Sequence, residues 1–359
     1  MLVVRSQSVA SGKDLAAFAT HVVDPPQLEP LHPAAAGLTA LGDFFVRCNL
    51  PLPIVASRDD WCVEMAGTAR DTTLNIAQLR ELLPPAEVTA VLQCAGNGRR
   101  HLATPVAGSQ WATGAAGCAH FRGVRVADLA QMLGGVDLEA HFLTATGGEA
   151  APSPDARVER SVPLVKGLAD CLLAFEMNGE PLAVAHGSPV RLIVPGYFAV
   201  NSVKHVSRLA FTPSESDAAI MRSRYRLAPP GATQKPSQPT CWAMPVKSWI
   251  TSPQPGEVAG GEVGIRGVAF AGEASVTRVE LSADGGATWT PAQLQDEQHG
   301  KAAWRGFSGR LTLRRGRHSL VSRATDDHGK RQPRQSLPNA GGYALNGWEE
   351  PAVAVKAVS

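Results

Sequence analysis

The sequence predicts a chain of two halves, a mixed α+β domain followed by an all-β sandwich of immunoglobulin-like architecture. Three observations predict it. Residues 41–227 mix short apolar strands with helical patterns. Residues 228–240 are rich in Pro, Gly, Ser and Gln and read as a linker. Beyond them, short alternating runs recur at 263–268, 276–282, 303–307 and 319–324, separated by turn residues. At 359 residues the chain is long enough for two domains with cores of their own.

Composition excludes several classes. The hydrophobic fraction of 44% and charged fraction of 18% are those of an ordinary globular protein. A net charge of +2 gives no basic footprint for nucleic acid. No apolar run approaches the length of a membrane span, so no membrane partner is expected. Arg5, Lys13 and Asp14 interrupt any signal-peptide core. The chain therefore reads as cytoplasmic, or periplasmic if an export signal has been removed. The six cysteines include no C-x-x-C pair, hence no zinc-ribbon or c-type haem signature, and their scatter suggests reduced thiols. No dinucleotide fingerprint or Walker A loop is present.

In chain order, residues 1–40 are Pro- and Ala-rich and read as an arm packed on the first domain. Phe44 to Val46 forms a short apolar strand closed by Pro51 and Pro53, with Arg47 leaving it. A helix is expected over 75–83, with Thr73 as N-cap and Pro84-Pro85 as the stop. An apolar strand at 88–92 runs into Cys94, then Gly96, Asn97 and Gly98, which let the chain turn sharply, then Arg99 and Arg100. Positive charge beside a thiol favours the thiolate, a nucleophile and a soft metal ligand. A second helix is expected over 126–133, stopped by Gly134-Gly135. Residues 141–160 read as loop. An apolar strand at 171–177 meets Asn178-Gly179, a strong hairpin signal. His186 and Arg191 flank a Gly-Ser-Pro turn, and Ser202-Val203-Lys204 follow, the donors a phosphorylated ligand needs. Tyr225 stands among arginines, where a phenol can relay a proton. Asp284-Gly285-Gly286 before Trp289 is a hairpin turn.

Leu92-Gln93-Cys94-Ala95-Gly96-Asn97, with Arg99 and Gly108-Ser109-Gln110-Trp111 downstream, resembles the sulfite oxidase family of molybdenum enzymes. The segments Phe44–Pro51, Gly117–Val124 and His186–Gly196, and Tyr225 placed 21 residues past Lys204, extend the resemblance. Residues 279–289 look like the dimerisation domain of molybdopterin oxidoreductases. The resemblance implies that residues 41–227 are a molybdopterin-binding catalytic domain of sulfite oxidase fold and 241–359 an immunoglobulin-like dimerisation domain. It implies Cys94 as the ligand of a molybdenum held by a pterin dithiolene. Phe45, Val46, Arg47, Asn49, His186, Arg191, Ser202, Val203 and Lys204 would contact that cofactor. Arg47 and Arg99 would hold a small sulfite-like oxyanion, Trp111 would line the pocket, and Tyr225 would assist proton and electron exit. The expected activity is oxidation of sulfite to sulfate by a homodimer. No haem motif appears, so electrons would pass to an external acceptor such as a cytochrome c or oxygen.

Two departures bear on this. Cys48-Asn49 stands where the family commonly has Asn-His, and Gly341 where vertebrate members carry an arginine, which predicts a roomier, less cationic pocket. They keep open a molybdenum-dependent reductase of a sulfoxide or another oxidised substrate. A non-catalytic homologue acting as a binding or scaffold protein is the third reading.

Overall fold

The computed structural model of the chain describes residues 13, 15–22, 24–296 and 299–358. Residues 1–12 of the expected arm lie outside the described residues, as do Arg5 and Asp14. The remainder of the arm is not coil: β1 (Phe18–Val22) and β2 (Gln27–Pro30) form a hairpin, and β3 (Val46–Arg47) adds to β2. The strand expected at Phe44 to Val46 begins later, because Leu41–Asp43 makes a 3₁₀ turn and both Phe44 and Phe45 are buried, which no alternating strand allows.

Two five-stranded sheets carry the first half. In one, β4 (Cys62–Ala66), β5 (Thr72–Asn75), β8 (Phe142–Gly147), β9 (Glu159–Pro163) and β13 (Val206–Thr212) run in the order β5-β4-β13-β8-β9. In the other, β11 (Glu180–Pro181), β10 (Leu172–Met177), β7 (Ala116–Arg125) and β6 (Ala86–Gln93) are neighbours, and β12 (Arg191–Ile193) pairs with β10. Helices α1 (Ile76–Leu82), α2 (Val126–Met132) and α3 (Leu164–Asp170) pack their apolar faces against these sheets, and α4 (Ala219–Arg222) is one turn. α1 starts later than its pattern predicts. Thr72–Asn75 is drawn into β5, and Asn75, not Thr73, is the N-cap, its side chain accepting from Gln78 N–H while Gln78 answers in a capping box.

Residues 141–160, expected as loop, contain β8 and the start of β9. Their strands look polar because the sheet interior is hydrogen-bonded there: Thr144 Oγ1 meets Ser161 Oγ at 2.8 Å and Thr212 Oγ1 at 2.9 Å. Asn178 (φ 54°) and Gly179 (φ 81°) turn the β10–β11 hairpin as their chemistry predicts.

The second half is an immunoglobulin-like sandwich. One sheet has the order β14 (Lys247–Ser252), β16 (Gly261–Phe270), β20 (Arg305–Leu313), β19 (Gln293–Leu294). The other has β15 (Gly256–Ala259), β22 (Val353–Val358), β21 (Gly316–Asp326), β17 (Val276–Ser282), β18 (Thr290–Pro291). Ile250, Ile265, Phe307 and Leu311 from one face meet Val279, Leu281, Leu320 and Val355 from the other. β22 alternates buried and exposed residues from Val353 to Lys356, as a strand with one wet face must.

Segment 228–240 is pinned at both ends rather than free. Arg226 pairs with Thr240 as a β-bridge, and its buried guanidinium binds the Met221 carbonyl at 2.9 Å and the Glu215 carboxylate. The largest apolar cluster runs from Val63, Ile76 and Leu129 of the first half into Trp249, Phe270 and Trp304 of the second. Between β21 and β22 the chain returns to the first half, where Ala344 N–H donates to the Ala95 carbonyl at 2.9 Å.

Candidate active site

The apolar end of β6 places Cys94 in the interior, one residue past the strand. Its backbone N–H donates to Ala115 O at 2.9 Å, and its carbonyl accepts from Asn97 N–H at 3.0 Å to close the turn. Asn97 braces that turn from within. Its Oδ1 accepts from Ala115 N–H at 3.1 Å, and its Nδ2 donates to Gln93 Oε1 and Thr113 O, both at 3.3 Å.

Two cavities meet at this thiol. The first, about 670 Å³ with its open mouth included, is lined by Phe45, Arg47, Asn49, Cys94, His186, Arg191, Ser202, Val203 and Lys204 of the expected residues. Val46 is not among its lining. It is fully buried in a separate cluster with Phe18, Leu28 and Cys48. The second cavity, about 1410 Å³ with its mouth, is lined by Arg47, Cys94, Arg99, Trp111 and Tyr225. Arg47, Cys94 and Tyr225 face both.

The first cavity is cationic. Arg191 is held by the carbonyls of Ser202 (Nε, 3.1 Å) and His186 (Nη1, 3.1 Å). Lys204 Nζ meets Arg47 O at 3.1 Å, the Ala185 carbonyl and Cys48 Sγ at 3.5 Å. Gly187 makes this cluster possible: at φ +111° it has no side chain to collide with Lys204 and Arg191, whose Cβ atoms would lie 3.1 and 3.2 Å from its own. Burial lowers the pKa of Arg191 to about 10, and burial with the neighbouring Arg191 lowers that of Lys204. Burial, then Lys204, Lys13 and Arg191, hold His186 neutral. Lys13 caps the carbonyls of Leu41, Gly42 and Phe44, and burial brings it down to about 8. Such depressed cations are relieved by an anion.

One acid faces them. Glu149 lines this cavity; its Oε2 is buried without a hydrogen-bond partner, and burial raises its carboxyl to about 7. The sequence reading assigns no acid in 141–160, because Thr-Gly-Gly-Glu looks like ordinary loop. The signal was the Gly pair, which lets the chain fold the carboxylate back over Gly147, where a Cβ would sit 2.0 Å from Oε2.

In the second cavity Arg47 keeps its proton. Burial lowers its pKa, but Tyr225, Cys94, Cys48 and Tyr343 together raise it above the ordinary value. Arg99 is only partly free for a ligand, since its Nε and Nη2 donate to Gly341 O at 3.0 and 2.8 Å. Trp111 is fully buried and meets the His21 ring edge-on at 4.5 Å. His21 in turn touches Glu29 at 2.9 Å, so the β1–β2 hairpin supports this wall and contributes His21, Val22 and Gln27 to it. Tyr225 takes φ 55°, a left-handed conformation fixed by the anchored Arg226 beside it. Beside Gly341, where the sequence predicts room, the Tyr343 ring occupies the space that a side chain at 341 would take. Among the described residues no three His, Cys, Asp or Glu side chains cluster as a metal cage. A metal here would depend on one thiolate and on a ligand brought by a cofactor.

The family model described as oxidoreductase molybdopterin binding domain matches residues 49–220, and that for the Mo-co oxidoreductase dimerisation domain matches 238–356. Human mitochondrial sulfite oxidase is 36% identical over 327 residues, covering 85% of this chain and 59% of the human protein. Arabidopsis thaliana sulfite oxidase is 30% identical over 346 residues, covering 87% of this chain and 86% of the plant protein. The crystal structure of the sulfane dehydrogenase SoxCD from Paracoccus pantotrophus superposes with a TM-score of 0.78 at 28% identity, over 93% of this chain and 87% of that one. This chain thus spans about six tenths of the human relative and most of the plant one. A thiol at the meeting of an anion-seeking cavity and an arginine-lined one, on a fold shared with these proteins, places the chain in the sulfite oxidase family of molybdopterin-dependent oxidoreductases.

Proposed function

We propose that the chain oxidises sulfite to sulfate at a molybdenum–pterin centre seated where its two cavities meet, and passes the electrons to an external acceptor. The observation that carries this is the shared lining: Cys94, Arg47 and Tyr225 face both a cationic cavity and an arginine-lined one. The residues present fit the cofactor. Cys94 would hold the metal; Arg191, Lys204 and the Ser202 hydroxyl would take the phosphate; and the orphaned Glu149 oxygen would accept from ring N–H donors of the pterin. When bound, the centre supplies oxygen-atom transfer and takes up two electrons.

The protein's share is positioning and electrostatics. Arg47, permanently charged, would draw the oxyanion to the thiol, and Arg99 would hold it from the facing wall with the N–H groups left beside its bonds to Gly341 O and Ser109 O. Buried Trp111 keeps water from one side. As sulfite and water become sulfate, two protons and two electrons, the Tyr225 hydroxyl would hand protons toward the second cavity's mouth. The acceptor would be a cytochrome or oxygen, and the active species a homodimer joined through the second half, in keeping with its match to a dimerisation domain.

The test is purification from a host that makes the cofactor, metal analysis, and anaerobic mixing with sulfite while the thiolate-to-metal absorption is followed. About one molybdenum per chain and prompt bleaching are expected; Cys94→Ser should lose the thiolate absorption, its bleaching and the turnover, while the metal stays on the cofactor's own ligands. Metal-loaded protein that does not respond to sulfite would overturn the substrate assignment. Metal-free protein from that host would overturn the enzyme reading.

A further inference from the structure

Arg99 reaches the second cavity through a cage of backbone. A Cβ at Gly96 would lie 2.4 Å from its Cζ, and one at Gly108 would lie 2.6 Å from its Nη1, so the guanidinium lies flat against two stretches of main chain. A third side is the Gly341 carbonyl, which takes two of its N–H groups. The fourth is the Tyr343 ring, whose centroid is 4.9 Å from Cζ. The same ring stacks on Tyr225, 5.0 Å between centroids and 25° between planes.

Tyr343 comes from the far end of the chain and is held firmly there. Asn339 clamps its backbone, donating to Tyr343 O at 2.8 Å and accepting from Tyr343 N–H at 2.9 Å. The next residue, Ala344, donates to Ala95 beside the thiol. The ring also closes the position two residues before it: a Cβ at Gly341 would meet Tyr343 Cε2 at 2.1 Å. No side chain grows from 341 while Tyr343 holds its place.

We propose that Tyr343 is a positioning residue of the substrate cavity and sets its width, its ring holding Arg99 and Tyr225 in place and barring any side chain at 341. The inference deepens the sulfite reading, on which it rests for the substrate class, a compact tetrahedral oxyanion. A planar ring does this at low entropic cost, because it contacts the cation through its face and Tyr225 through stacking at once.

The experiment uses metal-loaded holoenzyme and two readouts, sulfite kinetics and calorimetric binding of sulfate. Tyr343→Ala is expected to raise KM for sulfite and Kd for sulfate together by about tenfold, with kcat changed far less, as loss of a desolvated cation–π contact predicts. Tyr343→Phe, which keeps the ring, is expected to stay within about twofold. Gly341→Ala, which pushes the ring aside, is expected to follow Tyr343→Ala. Should Tyr343→Ala fail to fold, Tyr343→Leu keeps bulk without the ring face, and it too should weaken sulfate binding. Unchanged sulfate Kd in the variant that folds would overturn the proposal, even with reduced thermal stability. So would a wild-type holoenzyme that binds no sulfate. Wild type that binds sulfate but does not oxidise sulfite, with Tyr343→Ala weakening the binding, would sink the sulfite reading and support the role of Tyr343.

Discussion

Burial raises the Glu149 carboxyl from an ordinary 4.5 to about 7, and its own backbone N–H and nearby Lys204 only partly offset that. Between those values the folded protein binds more protons than the unfolded one, so this group makes stability fall as pH rises. His205 works the other way: burial lowers it to about 3, so between 3 and 6.5 it makes stability rise with pH. Both terms are present in the wild type, and only Glu149 is removed in Glu149→Gln. In cofactor-free protein, the variant should therefore gain about 2 kcal/mol relative to the wild type between pH 5 and 8. Denaturant midpoints across that range measure it, and parallel pH profiles would contradict the assigned titration. At this scale the sequence was legible where residue types are scarce and their neighbours distinctive. Cys94 in a Gly-Asn-Gly turn and the His186–Lys204 donors point to their cavities. Glu149 was hidden because an acid after two glycines has no signature of burial. Val46 looks the same in sequence whether it faces the ligand or the core, and in the structure its side chain packs in the cluster beside the site.

Among the elements, legibility followed how apolar each strand is. The runs behind β6, β10, β16 and β17 stand out as apolar or alternating, and the structure has strands there. β8 and β9 were missed because Thr144, Ser161, Glu159 and Arg160 are buried polar residues satisfied by partners far away in sequence, such as Arg160 with Asn201 Oδ1 at 3.0 Å. The β1–β2 hairpin was missed for a related reason, since Glu29 is buried only because Gly114 N–H and His21 bind it. The start of α1 shows local chemistry deciding between two caps. Asn75 and Gln78 answer each other at 2.8 and 2.9 Å, whereas Thr73 is spent on strand pairing. Asn75→Ala should lower stability by about 1 kcal/mol, seen as a shifted urea midpoint with unchanged slope. No shift would mean that tertiary packing of Ile76 and Leu79, rather than the cap, fixes the helix start.

For the molecule as a whole, the pattern of a linker between two domains predicts two separable units, and the contacts predict one. The core passes without a break from Val63 and Leu129 to Trp249 and Trp304. Lys247, buried and lowered to about 8 by that burial, points its ammonium at Asn97 O, 3.4 Å away, inside the thiol's own turn. Trp304 Nε1–H donates to Gly37 O at 2.8 Å, and Arg99 closes on Gly341. Each of these contacts joins the second half to the first, so exposing the junction would break them and bare the apolar faces of Trp249 and Trp304. Baring that apolar surface costs about 25 cal/mol per Å², in addition to the hydrogen bonds lost. The halves should therefore unfold as one cooperative unit, with calorimetric and van't Hoff enthalpies in agreement, and residues 1–240 expressed alone should not form the cavity around Cys94. Two resolved transitions in the full chain, or a stable 1–240 fragment that takes up the molybdenum cofactor, would show that the second half is an appendage and that Tyr343 and Lys247 only decorate a site complete without them.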